Sequence, residues 1–222
     1  MALPAPADGS APCYFGVYPA VVTDIVDPDR RGRVQVRFPW LGQDGDREVR
    51  AWATLCSAYA DAGQGLQVMP EVGSQVVVAF EAGNLRRPYV VGAAWHGAAA
   101  LPQQPSRQNN VRVLRSRAGS KMEFDDTAGA PKVTVSTDSG HQVVLDAGGG
   151  QEVVVKHALG CTVRLTATGV EISGNVTVDV NAVLVTVDAP LTTFTGIVKC
   201  QTVIAESVVI SPSYTPGAGN FW

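Results

Sequence analysis

The chain has 222 residues, 45% of them apolar and 17% charged, with 23 glycines and 14 prolines. That balance describes a folded, β-rich protein and excludes a disordered one. A net charge of −3 and a pI near 5.6 argue against a nucleic-acid partner, which selects for a basic face. No apolar run approaches the length of a membrane span. The opening MALPAPADGSAP has neither a basic n-region nor an apolar h-region, so synthesis in a bacterial cytoplasm without a signal peptide is expected. The four cysteines, Cys13, Cys56, Cys161 and Cys200, lie far apart without metal or disulfide spacing and read as reduced structural thiols.

After an N-terminal extension (1–13), residues 14–97 carry five strand-like runs. YFGVYPAVVTDIV reaches the turn Asp27-Pro28-Asp29-Arg30-Arg31-Gly32, and GRVQVRFPW then sets Val34, Val36 and Phe38 on one face against Gln35 and Arg37 on the other. Pro39 ends that run. VRAWATLCSAYA, SQVVVAFEAGN and RPYVVGAAWHG follow, with a Gly-rich loop from Asp61 to Gly73 between the third and fourth. Five alternating strands with turn signals between them predict a small closed barrel of the OB type. Such barrels carry a helix or an elaborated connection where the 61–73 loop lies.

Residues 98–118 read as a linker or collar. Arg107, Arg112, Arg115, Arg117 and Lys121 fall in or beside it, in a stretch without acids, and are expected to pair with acids of neighbouring chains.

Residues 119–210 alternate short apolar strands with polar turns. The cores are KVTV (132–135), VVL (143–145), VVV (153–155), CTVRL (161–165), VEI (170–172), VTVDV (176–180) and VLVTV (183–187). In each, every second residue is apolar, which places Val133, Val135, Val143, Leu145, Cys161, Val163, Leu165, Val176, Val178, Val180, Val183, Val185 and Val187 on one oily face. Ordering each residue costs about 1 to 2 kcal/mol of backbone entropy. Each inward Val or Leu returns roughly 1.5 to 3 kcal/mol only when something covers it, and a single layer of short strands covers nothing. A one-chain solenoid repeats at twenty or more residues per coil, and no longer period of that kind is visible. Identical chains wound together, with their oily faces on a common axis, fit better and leave few open edges. The expectation is an all-β homotrimer, an N-terminal OB barrel followed by an intertwined triple-stranded β-helix needle.

In residues 211–222, Pro212 and Pro216 donate no ladder hydrogen bonds and Gly217 and Gly219 permit reversal, so the segment closes the needle. Tyr214, Phe221 and Trp222, contributed threefold, form either an apolar plug or a platform for a separate tip protein.

These residues resemble a known family. DPDRRGRVQVRFPW, Trp52 and MPEVGSQVVVAFEAGNLRRPYVVGAAW are similar to the OB domain of contractile-tail spike proteins, the phage baseplate-assembly V and VgrG group. VRVLRSRAGSKMEFDD and TDSGHQVVLD resemble the start of that group's trimeric β-helix, and SPSYTPGAGNFW the end of short, phage-type spikes. The resemblance implies a structural central spike in the tail or injection-system particle, a homotrimer that joins a baseplate hub protein to the tip and punctures the target cell envelope. No hub-like domain precedes the barrel and no lysozyme insertion follows it, so the hub is expected as a separate protein. A His-x-His metal tip is not expected, because His96, His141 and His157 all lie away from the end.

No Gly-x-Ser-x-Gly, P-loop or His-Glu-x-x-His pattern occurs, and the carboxylates, such as Asp125-Asp126, lack a partner motif. No enzyme, cofactor or metal is expected. His141 and His157 read as solvated turn residues, and His96 as a structural hydrogen-bonding residue. Two alternatives stay open. An OB fold can bind single-stranded nucleic acid, using the basic cluster. A trimeric fibre can cleave polysaccharide, given paired carboxylates in a broad groove.

Overall fold

The computed structural model describes residues 13–44, 47–97 and 99–211. It divides into two units, one ending at Asn175 and the other beginning at Val176. Among the described residues there is no α-helix.

The first unit opens with the expected barrel. Its main strands are β1 (Val17–Asp24), β2 (Val34–Arg37), β5 (Arg50–Leu55), β8 (Gln75–Phe80) and β9 (Pro88–Ala93), closed in the order β1-β2-β5-β9-β8. The short hairpins β3 (Gln43–Asp44) with β4 (Arg47–Glu48), and β6 (Ala60–Asp61) with β7 (Gln64–Gly65), interrupt them. The second hairpin occupies the Gly-rich loop in place of a helix. β5 pairs in parallel with β9 at Thr54↔Tyr89, and all other barrel pairings are antiparallel. Strand alternation fills the interior with Ala20, Val22, Val34, Val36, Phe38, Ala53, Val76, Val78, Phe80 and Val90. At one end Tyr18 stacks on Trp40 with ring centroids 4.6 Å apart, and the Trp40 indole donates to the Pro19 carbonyl at 3.0 Å.

The DPDRRGR motif closes the β1–β2 connection around one carboxylate. Asp27 Oδ1 accepts the Asp29 N–H at 3.0 Å, and Oδ2 accepts the N–H groups of Arg31 at 2.9 Å and Arg33 at 3.3 Å. The Arg33 guanidinium grips both oxygens, reaches Asp29 at 2.8 Å and lies over the Trp52 ring at 5.8 Å. Motif residues far apart in sequence therefore form one structural knot.

Seven five-residue strands follow: β10 (Val111–Arg115), β11 (Lys121–Asp125), β12 (Lys132–Ser136), β13 (Gln142–Asp146), β14 (Glu152–Lys156), β15 (Thr162–Thr166) and β16 (Gly169–Ser173). They form one antiparallel meander in chain order. β10 lies inside the stretch read as a linker.

The turns at one end of this sheet repeat. In 116–120, 137–141 and 157–161 the first residue donates its N–H to the fifth carbonyl, and the fourth donates to the first. The fourth residue is Gly119, Gly140 or Gly160, each at positive φ, recurring at intervals of 21 and then 20 residues. A β-carbon on Gly119 would meet Asp138 at 2.8 Å, and one on Gly160 would meet the Asn175 amide at 3.1 Å, so each turn rests on the next. This corrects the expectation that no longer period exists. The chain repeats as hairpins of about twenty residues, which pack one layer deep and still leave a face uncovered.

Between Val176 and Ser211 no strand is formed, although VTVDV and VLVTV have the alternating pattern of strands. A ladder needs a second row of backbone partners, and the described residues of this unit supply none.

A candidate assembly face on the open sheet

Register converts the short strands into two rows of side chains crossing the whole sheet. One row is Phe124, Val133, Leu145, Val153, Leu165 and Val170, begun by Arg112. The other is Leu114, Met122, Val135, Val143, Val155, Val163 and Ile172. Adjacent members are cross-strand neighbours on one face.

That face is open. Leu145 is 47% exposed, Val155 46% and Ile172 61%. Shallow apolar grooves run along it, one lined by Leu145, Val153 and Leu165, another by Val135, Val143, Val155, His141 and His157.

The opposite face is polar and better covered. Lys121 meets Glu123 at 2.7 Å, Lys132 meets Asp125 at 3.9 Å, and Arg164 meets Glu152 at 2.5 Å. The Glu123, Asp125 and Glu152 side chains are only 18%, 18% and 19% exposed. The Thr127 hydroxyl and N–H, with Lys132, hold the Asp125 carboxyl below its usual range, and Glu152 raises the Arg164 guanidinium. Val144 and Val154 pair within this face between Thr134 and Arg164. In a lone chain the carboxylates are thus more sheltered than the oily rows, the reverse of what water favours.

Six of the expected axis residues, Val133, Val135, Val143, Leu145, Val163 and Leu165, fall on the two rows. Cys161 does not: it is the last residue of a turn, outside β15 and exposed. Val176, Val178, Val180, Val183, Val185 and Val187 lie in the second unit, and every described residue there is exposed. Tyr214, Phe221 and Trp222 lie outside the described residues. Sequence reading missed Leu114, Met122, Phe124, Val153, Val155, Val170 and Ile172 as members of the rows. Alternation in VRVLR and KMEFD was the available signal.

The histidines are more engaged than solvated turn residues would be. His141 Nδ1 accepts the Ala158 N–H at 3.3 Å, His157 Nδ1 accepts the Leu159 N–H at 3.2 Å, and the two rings lie 4.5 Å apart. Of the basic cluster, Arg112 pairs with Asp126 at 2.6 Å, Arg117 with Glu71 at 3.1 Å and Lys121 with Glu123. All three of these acids lie in the same chain. Among the described residues no group of three or more His, Cys, Asp or Glu is arranged to hold a metal.

The profile of the type VI secretion system/phage-baseplate injector OB domain matches residues 18–95, the span of the closed barrel. The barrel is similar to injector OB domains. The chain is 31% identical over 141 residues to the type VI secretion system spike protein VgrG4b of Pseudomonas aeruginosa, a match covering 59% of this chain and 18% of that protein. It is 24% identical over 124 residues to the spike protein VgrG3 of Vibrio cholerae, covering 53% of this chain and 12% of the relative. The actin cross-linking toxin VgrG1 of Vibrio cholerae matches at 25% over 111 residues, covering 47% of this chain and 10% of that protein. The chain spans less than a fifth of the length of each of these relatives. In sequence it is VgrG-like, with a barrel similar to the injector OB domain and a strand-rich region after it. No helix among the described residues is long and apolar enough to cross a membrane.

Proposed function

We propose that the chain is the central spike of a contractile tail or injection-system baseplate, a structural homotrimer without catalytic function. One observation carries this reading: both apolar rows of the sheet stand largely open in one chain, and all the described apolar residues after Asn175 are exposed. Three copies around an axis parallel to the rows bring the rows together and supply the second unit with strand partners. Burial of each Val or Leu then contributes roughly 1.5 to 3 kcal/mol.

In this reading the OB barrel (14–97) docks below a separate hub protein and residues 98–118 form the collar. Residues 119–210 form the needle that enters the target envelope. Residues 211–222 close its end as a plug or receive a tip protein. The likeness of the barrel to injector OB domains supports the baseplate end, and the polar outer face supports a needle that stays soluble as a bundle. The mass of the purified protein in solution tests the reading: three copies are expected, and a single copy overturns it.

A further inference from the structure

The sheet ends in two columns of turns, one formed by 116–120, 137–141 and 157–161, the other by 126–131, 147–151 and 167–168. Two features, one in each column, have no explanation inside a single chain. The first is the histidine pair. Each Nδ1 accepts a backbone N–H, which fixes both rings in the tautomer carrying its proton on Nε2. Among the described residues neither Nε2–H has an acceptor. This tautomer also disfavours a metal, which would need the Nε2 lone pair.

The second is the central glycine of the 147–151 turn. A β-carbon on Gly148 would strike the Ala130 backbone at 2.4 Å, and one on Gly150 would meet the Asp146 carboxylate at 2.9 Å. Gly149 has nothing within 4 Å and no left-handed φ, so its own chain has room for a side chain there. The turn's acids are occupied, Asp146 by the Gly148 N–H at 2.7 Å and Glu152 by Arg164. No described backbone N–H reaches the carbonyls of Gly148, Gly149 or Gly150.

The two features lie at the same level. His141 precedes β13 and His157 follows β14, while the glycine turn joins those two strands at their other ends. Rotation about an axis parallel to the apolar rows changes no residue's level. Cyclic symmetry also makes unlike edges meet, so the histidine column of one copy faces the glycine column of the next. Accepting the three-copy reading, we propose that the His141 and His157 rings of each copy pack over Gly149 of its neighbour. Their Nε2–H groups donate to the open carbonyls of that turn. The apolar rows hold the three copies together, and this latch sets their mutual height.

The test places His157→Cys and Gly149→Cys in the full-length chain, with the exposed native thiols removed as Cys13→Ser, Cys56→Ser, Cys161→Ser and Cys200→Ser, and adds a thiol oxidant. The expected result is a closed three-copy species on non-reducing gels. No cross-link in a protein whose native mass is still three copies overturns the latch alone, as does cross-linking of His157→Cys to Ala128→Cys or Thr168→Cys in its place. A native mass of one copy for the unaltered chain overturns the spike reading itself. Gly149→Leu gives an independent measurement. The latch requires markedly faster unfolding of the trimer, whereas a glycine with no neighbour leaves the rate unchanged and sinks the proposal.

Discussion

Arg33 holds Asp27 through two parallel contacts, Nε to Oδ2 at 3.0 Å and Nη2 to Oδ1 at 2.8 Å. Three backbone N–H groups converge on the same carboxylate. These contacts drive the Asp27 carboxyl far below the usual carboxylate range and raise the Arg33 guanidinium. Because the folded form of Asp27 is the more acidic one, its contribution is complete above the unfolded value of about 3.9. It is lost as pH falls from there through the folded value. Acid titration followed by the fluorescence of Trp40 and Trp52 is expected to show barrel loosening below pH 4 in the native chain. Asp27→Asn lowers the thermal midpoint at neutral pH and weakens that acid dependence. An unchanged midpoint and acid limb refute the assignment.

The face assignment makes a paired prediction in the second unit. Val178→Asp places three unpartnered charges on the axis, each costing several kcal/mol, and is expected to abolish the trimer in a native mass measurement. Asp179→Ala, on the outward side, is expected to be nearly neutral. Equal loss of trimer from both substitutions means that the face assignment is wrong. Val155→Asp and Thr134→Ala make the same comparison within the sheet, where register already separates the two faces.

The repeated turns yield a third. Gly119 has φ +83°, and a β-carbon there would lie 2.8 Å from the Asp138 carboxylate. Gly119→Ala is expected to cost about 1 to 2 kcal/mol for the left-handed backbone alone, and more until Asp138 moves. Asp138→Ala is expected to recover only the steric part. Thermal unfolding of the single and double variants measures both quantities, and a neutral Gly119→Ala excludes the stacked arrangement.

A fourth concerns the basic cluster. Arg112, Arg117 and Lys121 are engaged by acids of their own chain, so the chain is expected to elute from immobilised single-stranded DNA at low salt. Retention that falls steeply with salt supports the nucleic-acid alternative. The Arg117–Glu71 pair is exposed, 84% and 58% at its two side chains, and Glu71→Ala is expected to change stability by less than about 1 kcal/mol.

Much of this architecture is legible from residue order. Val34, Val36 and Phe38 announce a barrel strand by alternation alone, and the same rule places Val133, Val143 and Leu165 on the oily face. Two things resist it. The hairpin period is blurred because the turns at one end of the sheet vary in length, from the six residues of 126–131 to Ala167-Thr168. Only the glycines at 119, 140 and 160 keep time. The segment after Asn175 resists for another reason: Val183 and Val185 carry the pattern of a strand, but no described residue of their own chain pairs with them, and only the proposed trimer supplies partners. Cys161 shows the reverse error, since its pattern continues β15 by one residue while its backbone already serves the turn.

The orientation of the meander also has a mechanical consequence. Hydrogen bonds between neighbouring strands run at right angles to the strands, hence parallel to the two apolar rows and to the proposed axis. Seven strands spaced at about 4.8 Å stack to roughly 29 Å along that direction. Thrust delivered at the barrel end therefore compresses many short amide contacts side by side and bends no long element. A sideways force on the same structure shears one strand past the next. In the proposed spike, a contracting sheath would load the sheet along the line of the rows, through its hydrogen bonds rather than along its strands.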